Sequence, residues 1–141
     1  MFGTLKAQIK TLLETLTWTD KPFVEIFDFH TMENSWYPYV SFEPTNFQAN
    51  ILDNCNNMRT YNFDIIIYQE ISKWWRQQAL DIVIKWIEDI ISLFDSNYTL
   101  NWLALGGTQP LSCDFFTLSQ ADWNTIWARL RLACNVIQSI N

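Results

Sequence analysis

Apolar periodicity opens the chain as a helix. Leu5, Ile9, Leu12, Leu13 and Leu16 recur at three- and four-residue intervals from Thr4 to Leu16. That spacing lines one helical face, with Gly3 or Thr4 as its cap. The stretch from Thr17 to Pro22 breaks the pattern, because the residue before a proline resists helical geometry. Period-two alternation then predicts a strand from Phe23 to His30, a polar hairpin turn from Thr31 to Trp36, and a second strand from Tyr37 to Glu43. Both faces of the first strand are partly apolar. Pro38 suits an edge, because it cannot donate to a ladder.

From Pro44 to Met58 no period is visible. The stretch is rich in Asn (Asn46, Asn50, Asn54, Asn56, Asn57) and carries Phe47, Ile51 and Leu52. It reads as a long loop, and long loops in compact domains are commonly functional. The clearest strand runs from Arg59 to Ile71, with Tyr61, Phe63, Ile65 and Ile67 on one face. A turn at Glu70 to Lys73 leads to a long amphipathic helix. Leu80, Val83, Ile84, Ile87, Ile91 and Phe94 face its core, and Lys85, Glu88 and Asp89 face away. Asp95-Ser96-Asn97 ends it. A strand from Tyr98 to Leu105, a loop from Gly106 through Gly107 to Pro110, and a closing strand from Thr125 to Val136 complete the pattern. In the closing strand Ile126, Ala128, Leu130, Leu132, Cys134 and Val136 alternate with Trp127, Arg129, Arg131, Ala133 and Asn135. The segment from Leu111 to Asn124, with Phe115, Phe116 and Trp123, reads as an aromatic-rich insertion in which Cys113 to Thr117 forms a short strand or a crossing loop. These elements predict one α+β domain over residues 1–141: a mostly antiparallel sheet against one long amphipathic helix, with an N-terminal helix, in the order α-β-β-β-α-β-β.

Composition changes the picture in two places. Eight Trp exceed what one small core usually absorbs, and Trp is enriched at interfaces. The net charge of −6 comes with nine basic residues that are scattered rather than clustered. Specific nucleic-acid binding is therefore not expected. Met1 to Leu16 is interrupted by Lys6, Gln8, Lys10 and Glu14, which argues against a signal peptide or a membrane span.

Little in the chain points to catalysis. Cys55, Cys113 and Cys134 are widely spaced, with no CxxC or Cys/His cluster to hold zinc, and Cys134 reads as a core residue. His30 is the only histidine and sits at a strand end. The carboxylate pairs Glu25/Asp28, Glu43/Asp64 and Glu88/Asp89 read as surface acids, although a cross-strand contact of Glu43 with Asp64 remains open. Gly106-Gly107 lacks a phosphate-loop frame and is better explained as a turn that needs positive φ. Trp74 and Trp75 stand at the mouth of the long helix, and a core or interface role accounts for them more simply than a stacking platform. No enzyme activity, cofactor or metal is expected.

The order of elements resembles the tail terminator (tail-completion) proteins of long-tailed bacteriophages, or related minor tail and neck proteins. The resemblance is carried by Tyr37-Pro38-Tyr39-Val40, by Tyr61-Asn62-Phe63-Asp64-Ile65-Ile66-Ile67-Tyr68, by the helix from Arg76 to Phe94, and by the strand from Trp127 to Val136. It implies a structural virion protein at the head–tail interface, assembled in the host cytoplasm. Such a protein forms a hexameric ring with copies of itself, caps the tail tube protein, and offers a docking surface to a neck or connector protein. DNA would pass through its lumen without specific binding, and no membrane is involved. The interface residues expected on this basis are Phe47, Asn50, Ile51, Leu52, Asn54, Trp74, Trp75, Gly106, Gly107, Phe115 and Phe116. A head–tail connector, or a non-viral small-molecule-binding domain with an aromatic pocket between sheet and helix, is the alternative.

Overall fold

A computed structural model describes residues 1–16, 25–27, 39–51, 56–72, 76–119 and 123–139. The elements are α1 (Phe2–Glu14), β1 (Glu25–Phe27), β2 (Tyr39–Ile51), β3 (Asn56–Ser72), α2 (Arg76–Ser96), β4 (Gly107–Ser119) and β5 (Trp123–Ser139). The class is α+β, as the periodicity predicts. The order differs slightly in weight, because β1 is only three residues long and pairs parallel with β2. The four long strands are antiparallel, and the long elements alone read α-β-β-α-β-β. The sheet order is β1-β2-β3-β5-β4.

Alternation along β3 and β5 sends one set of side chains beneath the helices. Tyr61, Phe63, Ile65 and Ile67 of β3 join Ile126, Ala128, Leu130, Leu132, Cys134 and Val136 of β5, with Val40 and Phe42 of β2 beside them. Helix α1 adds Leu5, Ile9 and Leu13, and α2 adds Val83, Trp86, Ile87, Ile90 and Phe94. The stripe on α2 is rotated from the expected one: Trp86 and Ile90 are buried, while Leu80 and Ile91 only pack partly against the core. Helix α2 is apolar around most of its circumference, so periodicity alone leaves its phase loose, and the large Trp86 takes the centre. At the start of α1 the cap is Met1, without a side-chain cap bond, rather than Gly3 or Thr4. The end of α2 is closed by Asn97, whose Nδ2 donates to the Leu93 carbonyl at 2.9 Å.

Four further expectations are corrected. The first two strands do not form a hairpin: they run parallel, and parallel neighbours need a crossover rather than a tight turn. The expected turn, with the rest of 28–38, lies outside the described residues. Where it is described, the expected loop over 44–58 is instead strand: residues 44–51 continue β2 and 56–58 begin β3, paired from Asn46↔Asn62 to Ile51↔Asn57. The expected strand over 98–105 is a series of turns. Of the expected loop over 106–110, residues 107–110 begin β4, and residues 111–119 of the aromatic-rich segment after it are the rest of that strand, paired with β5 as far as Ser119↔Asn124.

Two bulges fall in one row of the sheet. Pro44, Phe63, Leu132 and Pro110 are cross-strand neighbours, and each proline is followed by one unpaired residue, Thr45 on β2 and Leu111 on β4. A proline cannot donate to a ladder, and a bulge bends its strand. Both long flanking strands are therefore kinked at the same level.

Replacing Ile65 with Ala, fully buried on the central strand, is expected to cost about 2–5 kcal/mol in urea unfolding. Ile51→Ala, 80 % exposed, is expected to stay within about 0.5 kcal/mol.

Candidate interface: an uncharged end of the sheet

The expected interface residues sort into three places. Phe47, Asn50 and Ile51 lie on the outer part of β2, which pairs with β3, while β3 pairs with β5 on its other side. Together these strands form a three-stranded arm. Phe2, the first residue of α1, marks where the helical layer ends: its ring meets Phe47, Tyr61 and Phe63 edge-on, with centroids 6.4, 4.7 and 5.8 Å away. Phe47 also stacks on Tyr61 at 5.9 Å, yet it remains 56 % exposed. Every residue of β2 from 44 to 51 is exposed. Phe47 and Ile51 sit in rows of the helix-side face, while Asn50, Met58 and Ile137 share a row of the opposite face. The arm thus carries apolar side chains on both faces. Amides and hydroxyls pair across its strands. Asn62 Nδ2 donates to Asn46 Oδ1, and Thr60 Oγ1 donates to Asn135 Oδ1, each at 2.7 Å.

Charge disappears along the same direction. Beyond the row of Glu43, Asp64 and Arg131, Arg59 is the only charged side chain among the described strand residues toward this end. Depletion of charge combined with exposed aromatic and aliphatic groups is the compositional mark of an interface core.

The turn segment between α2 and β4 reaches the same end, because β4 begins at Gly107, in the row of Asn135, Thr60 and Gln48. Leu100, Asn101 and Trp102 are consecutive residues with φ of 47, 57 and 71°. Left-handed geometry costs a non-glycine residue about 1–2 kcal/mol, and only the surroundings hold it there. Leu100 and Ala104 are buried as anchors. The Ala104 N–H donates to the Thr99 carbonyl at 2.9 Å, Thr108 N–H to Tyr98 at 2.7 Å, and Gly106 N–H to Asn135 at 2.9 Å. The outcome is a rigid display of Trp102, which is 75 % exposed, beside exposed Tyr98 and Leu105. Gly107 is the residue of the pair that uses positive φ, at 99°, and a Cβ there would overlap the Tyr98 ring. At Gly106 a Cβ would lie 2.9 Å from that of Asn135. Both glycines therefore pin this turn to the sheet. Trp102 escaped sequence reasoning because residues 98–105 imitate strand alternation. A usable signal was the absence of any charge between Asp95 and Asp114.

Phe115 and Phe116 do not join this end. Phe116 stands in the row of Tyr68 and Trp127, eight residues along the strand from the Thr60 row, or roughly 27 Å at strand rise. It stacks on Trp127 at 4.2 Å, with the Arg129 guanidinium 5.6 Å over its ring and Asp114 3.2 Å from Arg129. Leu52, Asn54, Trp74 and Trp75 have side chains outside the described residues, as do Cys55 and His30.

On the face away from the helices, Glu43 and Asp64 are direct cross-strand partners, the contact that the sequence left open. Arg131, next in that row, lies 3.8 Å from Asp64. Beside them is a cavity of about 260 Å³ lined by Thr45, Asn46, Gln48, Asn62, Asp64, Leu111 and Arg131. Its lining comes from all four long strands. Two of its lining residues, Thr45 and Leu111, are the unpaired residues of the two bulges. Among the described residues no group of three His, Cys, Asp or Glu is placed to hold a metal, and no helix is long and apolar enough to cross a membrane. Cys113 and Cys134 are free thiols. Burial, followed by the Asp114 charge, raises Cys113. Burial pushes Cys134 up to about 12, against a smaller opposing effect of the Thr108 hydroxyl.

Compared with known proteins, the sequence matches no family model and no curated protein.

Gly107→Ala is expected to destabilise the fold by at least about 2 kcal/mol, since the left-handed backbone and the Tyr98 overlap both oppose it. Gly3→Ala, with open space around it, should stabilise slightly, by up to about 1 kcal/mol; paired urea titrations separate the two. The raised thiol of Cys134 favours its neutral form in the fold. Its contribution is therefore complete below the ordinary value of 9.0 and is lost as pH rises toward about 12. Stability measured from pH 8 to 11 should fall less steeply in Cys134→Ala.

Proposed function

We propose that this protein is a structural assembly subunit of the tail-terminator kind, a ring of copies that caps a tail tube, stops its growth and presents a docking surface to the neck. The single observation that carries the reading is the arm. A β-sheet is stable when at least one face is covered, and along this arm β2 is exposed from residue 44 to 51 while apolar groups stand on both faces. Such an element gains its second layer from a neighbouring chain. Its amides are both donors and acceptors, so two copies can satisfy one another, and the one charge among its described strand residues, Arg59, is basic, so acidic copies meet no repulsion from it.

The capping mechanism is association alone, with no catalytic step. A ring seated on the growing end removes the surface that the next tube subunit would use. The acidic balance of the chain suits a lumen through which duplex DNA slides without adhering. A connector ring in the neck shares this physics and differs only in the protein that it meets. A small-molecule site between sheet and helices is disfavoured, because that space is filled by Trp86, Phe42, Phe63 and Ile65 at 1 % exposure or less.

Replacing residues 50–58 with Asn-Gly, a two-residue turn that can join Ala49 to Arg59, should leave a folded monomer that no longer assembles. Light scattering over a concentration series, with negative-stain imaging of the largest species, checks this. A six-fold ring from the unaltered protein and none from the shortened one is the expected pair of results; equal assembly by both would remove the arm from the account.

A further inference from the structure

We infer that Trp102 is an anchor that inserts into the outer-face cavity of a second copy of this chain. The inference rests on the ring reading above and names the contact that would hold neighbouring copies in register.

The anchor has the properties of an interface hot spot. Three consecutive left-handed residues present it, buried Leu100 and Ala104 fix its base, and the indole itself is 75 % exposed. A rigidly held aromatic group loses little conformational freedom when it binds, and Trp is foremost among hot-spot residues. Strain held at an exposed position is a mark of function rather than of packing. No charge accompanies Trp102 from Asp95 to Asp114, which argues against an anionic lipid surface or a nucleic acid as the occupant, since both are met by Lys and Arg.

The cavity offers the matching chemistry. At about 260 Å³ it has room for an indole, since about 150 Å³ already takes a benzene ring, and its walls are mostly polar and open to solvent on one side. Arg131 on its wall is half exposed and only loosely paired, 3.8 Å from Asp64. Its guanidinium is thus free to lie over an aromatic face. Leu111, exposed at the β4 bulge, supplies an apolar wall. The exposed amides of Asn46 and Gln48 carry carbonyl oxygens able to accept the indole N–H. Trp102 does not line this cavity in its own chain. Anchor and cavity are different surfaces of one molecule, so the contact can repeat from copy to copy, and it closes into a ring where the rotation between neighbours returns to its start.

Sedimentation velocity over a concentration series tests the contact, with thermal unfolding confirming that each variant is folded. Trp102→Ala should raise the concentration of half-assembly about thirtyfold or more. Arg131→Ala should raise it about fivefold, and the double variant should assemble no worse than Trp102→Ala alone, because both changes remove one contact. Wild-type assembly by Trp102→Ala would overturn the anchor while leaving the ring reading intact. Effects of the two changes that simply multiply would overturn the cavity as its seat. An unaltered protein that stays monomeric at every concentration would overturn the ring reading and this contact with it.

Discussion

The unbroken pairing of β3 with β5 is the constraint from which the rest of the structure follows. Seventeen residues of β3, Asn56–Ser72, pair one for one with β5. A slip of a single residue would move every side chain to the other face. The ladder therefore commits Phe63, Ile65, Leu130 and Leu132 to the helix side, and Asp64, Arg129 and Arg131 to the outer side. It is also longer than anything laid across it. At strand rise it spans about 56 Å, whereas the 21 residues of α2 span about 31 Å. At one end of it the β2 strand from 44 to 51 is exposed along its whole length, and the proposed assembly role grows from that exposure.

Legibility followed burial. Helices α1 and α2 and the inner residues of β3 and β5 could be read directly, because one buried face imprints a period on the sequence. The outer part of β2 could not. Asn46, Gln48 and Asn50 alternate with Phe47, Ala49 and Ile51, but both sets are exposed, so burial imposes no contrast and the stretch resembles a loop. The opposite error occurred at residues 98–105, where buried Leu100 and Ala104 serve as anchors of a turn rather than as one face of a strand. The parallel pairing of Glu25–Phe27 with β2 is a matter of chain routing, on which local alternation is silent.

The candidate interface was half legible for related reasons. Phe47 and Ile51 were noticed as apolar residues in polar surroundings, and the structure places them at the uncharged end. Phe116 was noticed on the same ground, but a half-buried strand residue with an aromatic neighbour in register can satisfy itself, as it does on Trp127. Trp102 was missed, since its exposure depends on backbone geometry at Leu100 and Asn101 that composition does not encode. Gly107 was legible as a positive-φ glycine, although its role is to admit the Tyr98 ring at the start of a strand.

The most direct test of the central claim, that the arm is an assembly surface, is amide hydrogen exchange measured at two protein concentrations. If the arm is covered by a neighbouring copy, exchange across residues 44–51 and 56–60 slows as concentration rises, while residues 61–67 beneath the helices exchange at an unchanged rate. Arm exchange that stays the same at concentrations where the protein is demonstrably assembled would contradict the account.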